Sequence, residues 1–593
     1  MGVATGINND LPDWILDSGK RSAAERGARL QAFLGERAIL RSPLTFVVLV
    51  SVFLVVFYNL RFWRETIGVA HLASVEDAFF ILSLFVMLVL GHAAILLLAP
   101  RIFLLRIAAA AAFLIAAAAA FFIDSYAVVI DKDMIRNLVE TDTQEAGAFI
   151  IPRLAIYLCF LGIVPAVVAL RVKLVAPTFQ RGLVQRFGFI AVALVLSTSL
   201  LFVFYSHYTS FFSEHRTRSL LNPVQPIAGF VGYVRSVAFA GDTAFVDDPE
   251  NHAHSLPITR GQKPLLLFLV VGETARAGNF QLGGYARDTN PELSRIGDLY
   301  YFNDVASCGT STAVSVPCMF SPGGRKRLDV TMARRHSNLL DAIKSAGFNV
   351  EWRENNSGSK GVAARVETIN FLRNSAKTGC AHEPCYDEEM LSGLADRLRG
   401  LRQNSVIVFH TMGSHGPSYW LRYPDRFEKF KPVCRTSELW TCSHESLVNT
   451  YDNTILYTDH VLAEQIRLLQ SVSAYADSLL IYVSDHGESL GEHGLYLHGT
   501  PYALAPEEQT KVPYLIWMSE GYRQRLSIDS DCMRSQKHHA LSHDTIYHTV
   551  LGALGLWNGF YKRDLDMVGR CMEDRVGQAA PVSAGWPATS VAR

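Results

Sequence analysis

The chain has 593 residues, more than one ordinary domain of about 100–200 residues would use. It carries 55 basic and 55 acidic residues, so the net charge is zero and the basic face of a nucleic-acid-binding protein is not expected. Hydrophobic residues make up 49% of it, more than a soluble enzyme ordinarily holds, so part of that apolar surface is expected to face lipid.

Residues 1–43 are polar and basic and predict a cytoplasmic segment without a cleavable signal peptide. Five apolar stretches then follow, at about 44–60, 78–99, 102–123, 154–170 and 188–207, each near the roughly 20 residues needed to cross a bilayer. The third contains Ala108–Ala112 and Ala116–Ala120, and small residues let helices approach closely in lipid, so it is expected at the centre of the bundle. Pro165 interrupts the fourth, which is tolerable if a neighbour satisfies the carbonyl it frees. Lys20, Arg21, Arg26, Arg29, Arg37 and Arg41 precede the first span, and Arg171, Lys173, Arg181 and Arg186 lie between the fourth and fifth. The acidic loop at 124–153 falls on the opposite side. Cytoplasmic loops carry the excess of Lys and Arg, so five spans place everything after about 208 in the periplasm. The segment 208–262 reads as an interfacial helix and linker, and 263–593 as the catalytic domain.

The second half changes pattern. Pro264–Val271, Val406–His410, Leu479–Val483 and Val512–Trp517 are short continuous apolar runs, which suit parallel strands buried on both faces. Helical patterns at 338–346, 387–402 and 447–470 alternate with them, which predicts a layered α/β domain. Of nine cysteines, Cys159 lies in a span and the other eight follow residue 300. Cys308/Cys318, Cys380/Cys385 and Cys434/Cys442 read as local disulfides in an oxidising compartment, with Cys532 and Cys571 candidates for a fourth.

Three of the runs end in polar clusters: Gly272-Glu273-Thr274, Gly413-Ser414-His415-Gly416-Pro417 and Ser484-Asp485-His486-Gly487-Glu488. Ligands of open α/β sheets bind at the carboxyl ends of strands, so these clusters are expected to converge. Two carboxylates and an imidazole, Glu273, Asp485 and His486, suit zinc with one position open. The missing member is expected in Cys308-Gly309-Thr310-Ser311-Thr312-Ala313, where zinc would activate a hydroxyl beside a helix N-terminus. By spacing, Thr310, Ser311 and Thr312 are near equivalents.

The segments VVGETARAGNFQLGGY, SCGTSTAVSVPCMFS, NNSGSKGV, HTMGSHGPSYW, SDHGESLGEHGLYLHGTPY and QTKVPYLIW follow one another in this chain. In them the sequence resembles the lipid A phosphoethanolamine transferases, including the mobile colistin-resistance type, of the alkaline phosphatase–sulfatase superfamily, over about residues 45–575. The resemblance implies a five-helix membrane domain and a periplasmic α/β domain of alkaline phosphatase/sulfatase type. It implies Thr312 as the nucleophile, and Glu273, Thr312, Asp485 and His486 as ligands of one zinc ion. His415 and His498 match histidines that hold phosphate, assist proton transfer or bind a second zinc, and Asn356, Ser357 and Lys360 match substrate contacts. Asn137, Thr141 and Glu145 recur every fourth residue, which places them on one helix face, and they match a family stripe that looks towards the active site. Glu145 would hold the donor's ammonium group.

The implied reaction takes phosphoethanolamine from phosphatidylethanolamine, forms an ester on Thr312 and passes the group to a lipid A phosphate, which would weaken binding of cationic peptides such as polymyxin. The protein is expected to act as a monomer. A core sugar or periplasmic glucan as acceptor, or phosphoglycerol transfer, are the alternatives. Ser315-Val316-Pro317-Cys318 lacks the arginine of a sulfatase nucleophile motif. Two departures from the family pattern stand out. Ser359 and Ala363 replace cysteines found in many relatives, and the N-terminal segment is long.

Overall fold

A computed structural model describes residues 42–70, 74–141, 146–214, 216–238, 244–255, 262–372 and 385–572. The long N-terminal segment, Glu145 and Cys380 lie outside the described residues. The chain forms two compact units, one of Met1–Ala120 with Ile156–Thr217 and the other of Phe121–Ala155 with Arg218–Arg593. The helices needed below are, in chain order, α1 (Pro43–Phe57), α2 (Leu60–Ala70), α3 (Val75–Leu97), α4 (Ile102–Tyr126), α5 (Lys132–Glu140), α6 (Pro152–Arg171), α7 (Phe179–Val203), α8 (Val224–Ala238), α9 (Thr312–Met319) and α10 (His444–Ser471).

In the first unit α3, α4, α6 and α7 are each long and apolar enough to cross a membrane. The first predicted span is a bent pair: α1 and the helix beginning at Leu60 meet at 63°. α7 begins at Phe179 rather than 188, because Gln180, Arg181 and Arg186 lower hydropathy without interrupting a helix. Ala109, Ala116, Ala117 and Ala120 of α4 are buried in one cluster with Phe46, Val50 and Leu54 of α1, Ala93 and Leu97 of α3, and Ala166 and Ala169 of α6. The alanine run therefore does bring several helices close, and Gly162 extends the contact: a Cβ there would lie 3.3 Å from Ala117 Cβ. By contrast, Phe187, Val192, Leu194, Val195 and Phe202 of α7 are largely exposed, as side chains that meet lipid would be. Pro165 follows a π-helical stretch, Tyr157–Ile163. Proline cannot donate to the carbonyl four residues back, that of Leu161, and the Tyr58 hydroxyl donates to it instead.

The second unit is built on a seven-stranded sheet. Its strands are β1 (Leu265–Gly272), β2 (Leu299–Phe302), β3 (Asn349–Glu354), β4 (Glu367–Asn370), β5 (Ser405–His410), β6 (Asp477–Ser484) and β7 (Tyr514–Met518). Their order across the sheet is β2-β7-β6-β1-β5-β3-β4. β1, β5 and β6 are parallel neighbours and buried along their whole length, which explains why they read as unbroken apolar runs. β7 corrects the expectation of parallel strands: it runs antiparallel to both β6 and β2. The chain stays at the carboxyl end of β6 through residues 485–513, so its next strand must run back. The helix expected over 387–402 is broken into Asp387–Leu391 and Leu394–Arg399, with Gly393 between them at φ +72°. Among the described residues Cys308–Cys318, Cys434–Cys442 and Cys532–Cys571 close as disulfides.

Candidate metal centre and nucleophile

The three strands that end in polar clusters lie side by side, so their carboxyl ends deliver Glu273, the 411–417 loop and Asp485-His486 to one place. Glu273, Asp485 and His486 are completely buried, with one ligand atom from each lying within 4.8 Å of the others. His486 Nδ1 donates to the Gly487 carbonyl at 2.9 Å, because a carbonyl can only accept. Its Nε2 therefore carries a lone pair, and that atom sits 3.5 Å from Glu273 Oε1 and 3.4 Å from Asp485 Oδ2. Burial keeps His486 below the usual imidazole range despite Asp485 beside it. Asp485 Oδ1 accepts the N–H groups of His486 and Thr274 at 2.7 and 3.2 Å, whereas Oδ2 has no hydrogen-bond partner among the described residues. Two buried carboxylates and a bare imidazole nitrogen aimed at one point repel one another unless a cation joins them. Oxygen, oxygen and nitrogen donors of this kind fit zinc.

Thr312 opens α9 behind the N-cap Ser311. Its Oγ1 lies 3.1 Å from Glu273 Oε2 and 3.4 Å from His486 Nε2. Of the neighbouring hydroxyls, that of Thr310 is committed to the Thr500 carbonyl at 2.6 Å. The Cys308–Cys318 bridge spans the loop and the helix. His543 ties the loop to the sheet: its Nδ1 accepts the Cys308 N–H at 3.1 Å and its Nε2 donates to the Ser484 carbonyl at 2.9 Å.

The other predicted residues divide into those at this cluster and those beside it. Asn356 Nδ2 donates to Glu273 Oε2 at 2.7 Å and to the Thr411 carbonyl at 2.8 Å, which fixes one ligand oxygen. Ser357 and Lys360 face each other, Lys360 Nζ lying 2.9 Å from Ser357 Oγ. Ser359 Oγ accepts the Ala363 N–H at 3.3 Å. The His415 loop approaches Glu273 so closely that a Cβ on Gly413, at φ +50°, would lie 2.7 Å from the Glu273 carbonyl oxygen. His415 and His498 rings are 5.5 Å apart, and His498 is 4.4 Å from the His486 ring. Burial, then His498 and Arg422, hold His415 far below the usual imidazole range, so it is neutral near pH 7. No third ligand joins His415 and His498 in a metal group among the described residues. Asn137 and Thr141 lie at the C-terminal end of α5, where Thr141 Oγ1 donates to the Asn137 carbonyl at 2.7 Å, and α5 packs on α9.

Sequence reasoning missed Glu488, Tyr419 and His543. Glu488 accepts His498 Nδ1–H at 2.8 Å on one oxygen and the Tyr419 hydroxyl on the other. Its place two residues after His486 at a strand end was the available signal. His543 stands alone in a loop with no spacing to mark it.

Two family models match, "Phosphoethanolamine transferase EptA/EptB" over residues 87–237 and "Sulfatase" over 266–556. The chain is 37% identical over 546 residues to phosphoethanolamine transferase EptA of Salmonella typhimurium, covering 91% of this chain and 99% of that one. The chain belongs to the phosphoethanolamine transferase family. Phosphatidylethanolamine transferase Mcr-1 of Escherichia coli is 38% identical over 490 residues, covering 80% of this transferase and 90% of Mcr-1. Among solved structures, the integral membrane lipooligosaccharide phosphoethanolamine transferase A of Neisseria meningitidis superposes on the transferase with a TM-score of 0.85 at 31% identity, covering 89% of this chain and 99% of that one. The helical apolar region joined to a sulfatase-type α/β domain is thus the family architecture.

Proposed function

We propose that the enzyme transfers phosphoethanolamine from phosphatidylethanolamine to a phosphate of lipid A, through an ester on Thr312, with one zinc ion held by Glu273, Thr312, Asp485 and His486. Residues 44–207 would form the membrane domain, 208–262 the interfacial segment and 263–593 the catalytic domain, which lies in the periplasm. The observation that carries the reading is Thr312 Oγ1 at 3.1 Å from Glu273 Oε2, at the edge of a buried carboxylate–carboxylate–imidazole cluster. The relatives are phosphoethanolamine transferases by name, which supports the transferred group, and the Neisseria protein is named for lipooligosaccharide, which supports the class of acceptor.

Zinc supplies a Lewis acid that lowers the pKa of an attached hydroxyl and offsets phosphoryl charge. In the first half-reaction Thr312 Oγ1 bonds to the donor's phosphorus and the bond to the diacylglycerol oxygen breaks. The threonine gives up its proton, and the departing alkoxide takes one up as its hydroxyl. His498 is suited to hand that proton on: Glu488 accepts its Nδ1–H, which fixes the imidazole beside the cluster. Asn356 keeps Glu273 oriented, and neutral His415 can donate to a phosphoryl oxygen. In the second half-reaction a lipid A phosphate oxygen attacks the same phosphorus, and Oγ1 leaves and regains its proton. Asn137 and Thr141, with Glu145 beyond them, would face the donor headgroup, Glu145 taking its ammonium, and Ser357 and Lys360 would contact its phosphate. The product carries a new ammonium group, which lowers the surface charge that attracts polymyxin.

Mass spectrometry of lipid A from cells with and without the gene tests this. A gain of one phosphoethanolamine, lost in a Thr312→Ala variant that melts like the parent, is expected. A Thr312→Ala variant that still modifies lipid A would overturn the mechanism.

A further inference from the structure

Helix α5 lies between two other helices of its unit. On one side it packs against α8, so closely that a Cβ on Gly229 would lie 2.8 Å from the Asp131 carbonyl carbon. On the other side it packs against α9, the helix that Thr312 opens. Asp131 caps its first turn, accepting the N–H groups of Asp133 and Met134 at 3.0 and 2.9 Å. Met134, Asn137, Glu140 and Thr141 share one side of this short helix, by the spacing of three and four residues. Met134 Sδ lies 3.4 Å from where a Gly499 Cβ would stand, so this side faces the loop that carries His498.

One residue joins this helix to the rest of the site. Arg334 donates to both oxygens of Glu140, at 2.6 and 2.8 Å, in a planar two-point pair. The same guanidinium donates to the carbonyl of Ala313, next to Thr312, at 3.2 Å. Its aliphatic stem lies 3.5 Å from the Cβ position of Gly361, at φ +90°, in the loop of Asn356, Ser357 and Lys360. Both partners are about three-quarters removed from solvent, at 24% and 20% exposure, so the pair is shielded beyond an ordinary surface bridge. Arg334, on the short helix Val330–Arg335, therefore touches the nucleophile helix, the Asn356–Gly361 loop and α5 at once, and no other ion pair links α5 to another element among the described residues.

We propose that Arg334 and Glu140 form a positioning clamp that holds the donor-binding face of α5 in register with Thr312. The inference rests on the reading above that Asn137 and Thr141 meet the donor headgroup. Neither Arg334 nor Glu140 touches the reacting atoms. Their effect is to keep α5 where a bound phosphatidylethanolamine presents its phosphorus to Oγ1.

The test is steady-state turnover of a short-chain phosphatidylethanolamine by the zinc-loaded full-length protein in detergent. Glu140→Gln is expected to raise KM about fivefold or more with kcat within about twofold, because it weakens donor binding without altering the nucleophile. Arg334→Lys, which keeps the charge and loses the fork, should fall between. The exchange Glu140→Arg with Arg334→Glu should recover most of the lost KM, which assigns the effect to the pair, while the rise in KM at steady kcat is the readout that a merely structural role would not give. Asn137→Ala, measured alongside, separates this proposal from the reading beneath it. If Asn137→Ala raises KM and Glu140→Gln does not, the clamp is refuted and the donor face stands. If neither raises KM, the donor face itself is wrong and the clamp falls with it. A loss confined to kcat would place the pair's effect on Thr312 and also overturn the proposal.

Discussion

Gly487 follows His486 directly, and its lack of a side chain can be converted into an expected loss. A Cβ at this position would lie 2.0 Å from the carbonyl oxygen of Glu508 and 3.0 Å from its carbonyl carbon. Carbon–oxygen contacts settle near 3.3 Å, so Gly487→Ala must displace the 508–509 backbone by roughly 1 Å. Two hydrogen bonds run through that contact, Gly487 N–H to Gln509 O at 3.0 Å and Glu488 N–H to Glu508 O at 2.7 Å. Overpacking costs about 1–3 kcal/mol and each lost backbone bond about 1 kcal/mol, so Gly487→Ala should lower stability by about 3–5 kcal/mol. The carbonyl of Gly487 also holds His486 Nδ1, so the same shift turns Nε2 away from Glu273 and Asp485. Thermal unfolding of the full-length protein in detergent, with bound zinc measured by atomic emission, should show a lower melting temperature and reduced zinc. Gly278→Ala is the control, since no atom lies within 4 Å of its Cβ position. A Gly487→Ala protein that melts with the parent and retains its zinc would refute the steric argument and the role given to the Gly487 carbonyl.

Three further outcomes follow from single contacts. Asp485→Asn replaces the unpartnered buried Oδ2 oxygen with a neutral amide, so bound zinc and transfer should both fall by at least about tenfold, read by metal analysis and donor turnover. Tyr58→Phe leaves the Leu161 carbonyl without the donor that Pro165 denies it, and should destabilise the membrane unit by about 1 kcal/mol in detergent melts; an unchanged melt would remove that account of the π-helical turn. Burial pushes the His543 imidazole down to about 4, against an unfolded value near 6.5. The unfolded chain therefore binds that proton first as pH falls, so this contribution to stability is complete above about 6.5 and is lost towards pH 4. His543→Gln should flatten the slope of melting temperature against pH over that window.

Much of the architecture was legible because it is written in local periodicity. Lipid-facing helices and doubly buried strands both appear as apolar runs, and their lengths separate them, which is why the long apolar helices, the bent first pair and the four most apolar strands were found near their observed positions. Other strands escaped notice. Asn349–Glu354, beside the edge strand of the sheet, carries Glu351, Arg353 and Glu354, all buried, and their charges conceal a strand until their partners are known. Arg353 pairs with Glu351, and Glu354 with His410, which is 56 positions away. The direction of β7 was hidden for a different reason: antiparallel and parallel pairing both bury a five-residue apolar strand, and only the path of the preceding loop decides between them.

The candidate site divides along the same line. Glu273, Asp485 and His486 could be read as a set because each follows an apolar run directly, and strand ends on neighbouring strands must meet. The hydroxyl could not be chosen that way, since Thr310, Ser311 and Thr312 are adjacent and chemically alike. What distinguishes them in space is contact with distant chain. Thr310 is held by the carbonyl of Thr500, 190 positions on, and Thr312 Oγ1 reaches Glu273 and His486, 39 and 174 positions away. The helical turn that begins at Thr312 rotates its side chain away from that of Thr310, and His543 anchors the start of the loop through Cys308 N–H. Which hydroxyl faces the cluster is thus set by contacts with distant chain and not by spacing. Freeing Thr310 by altering the 499–502 loop should not create a second nucleophile unless Glu273 moves with it.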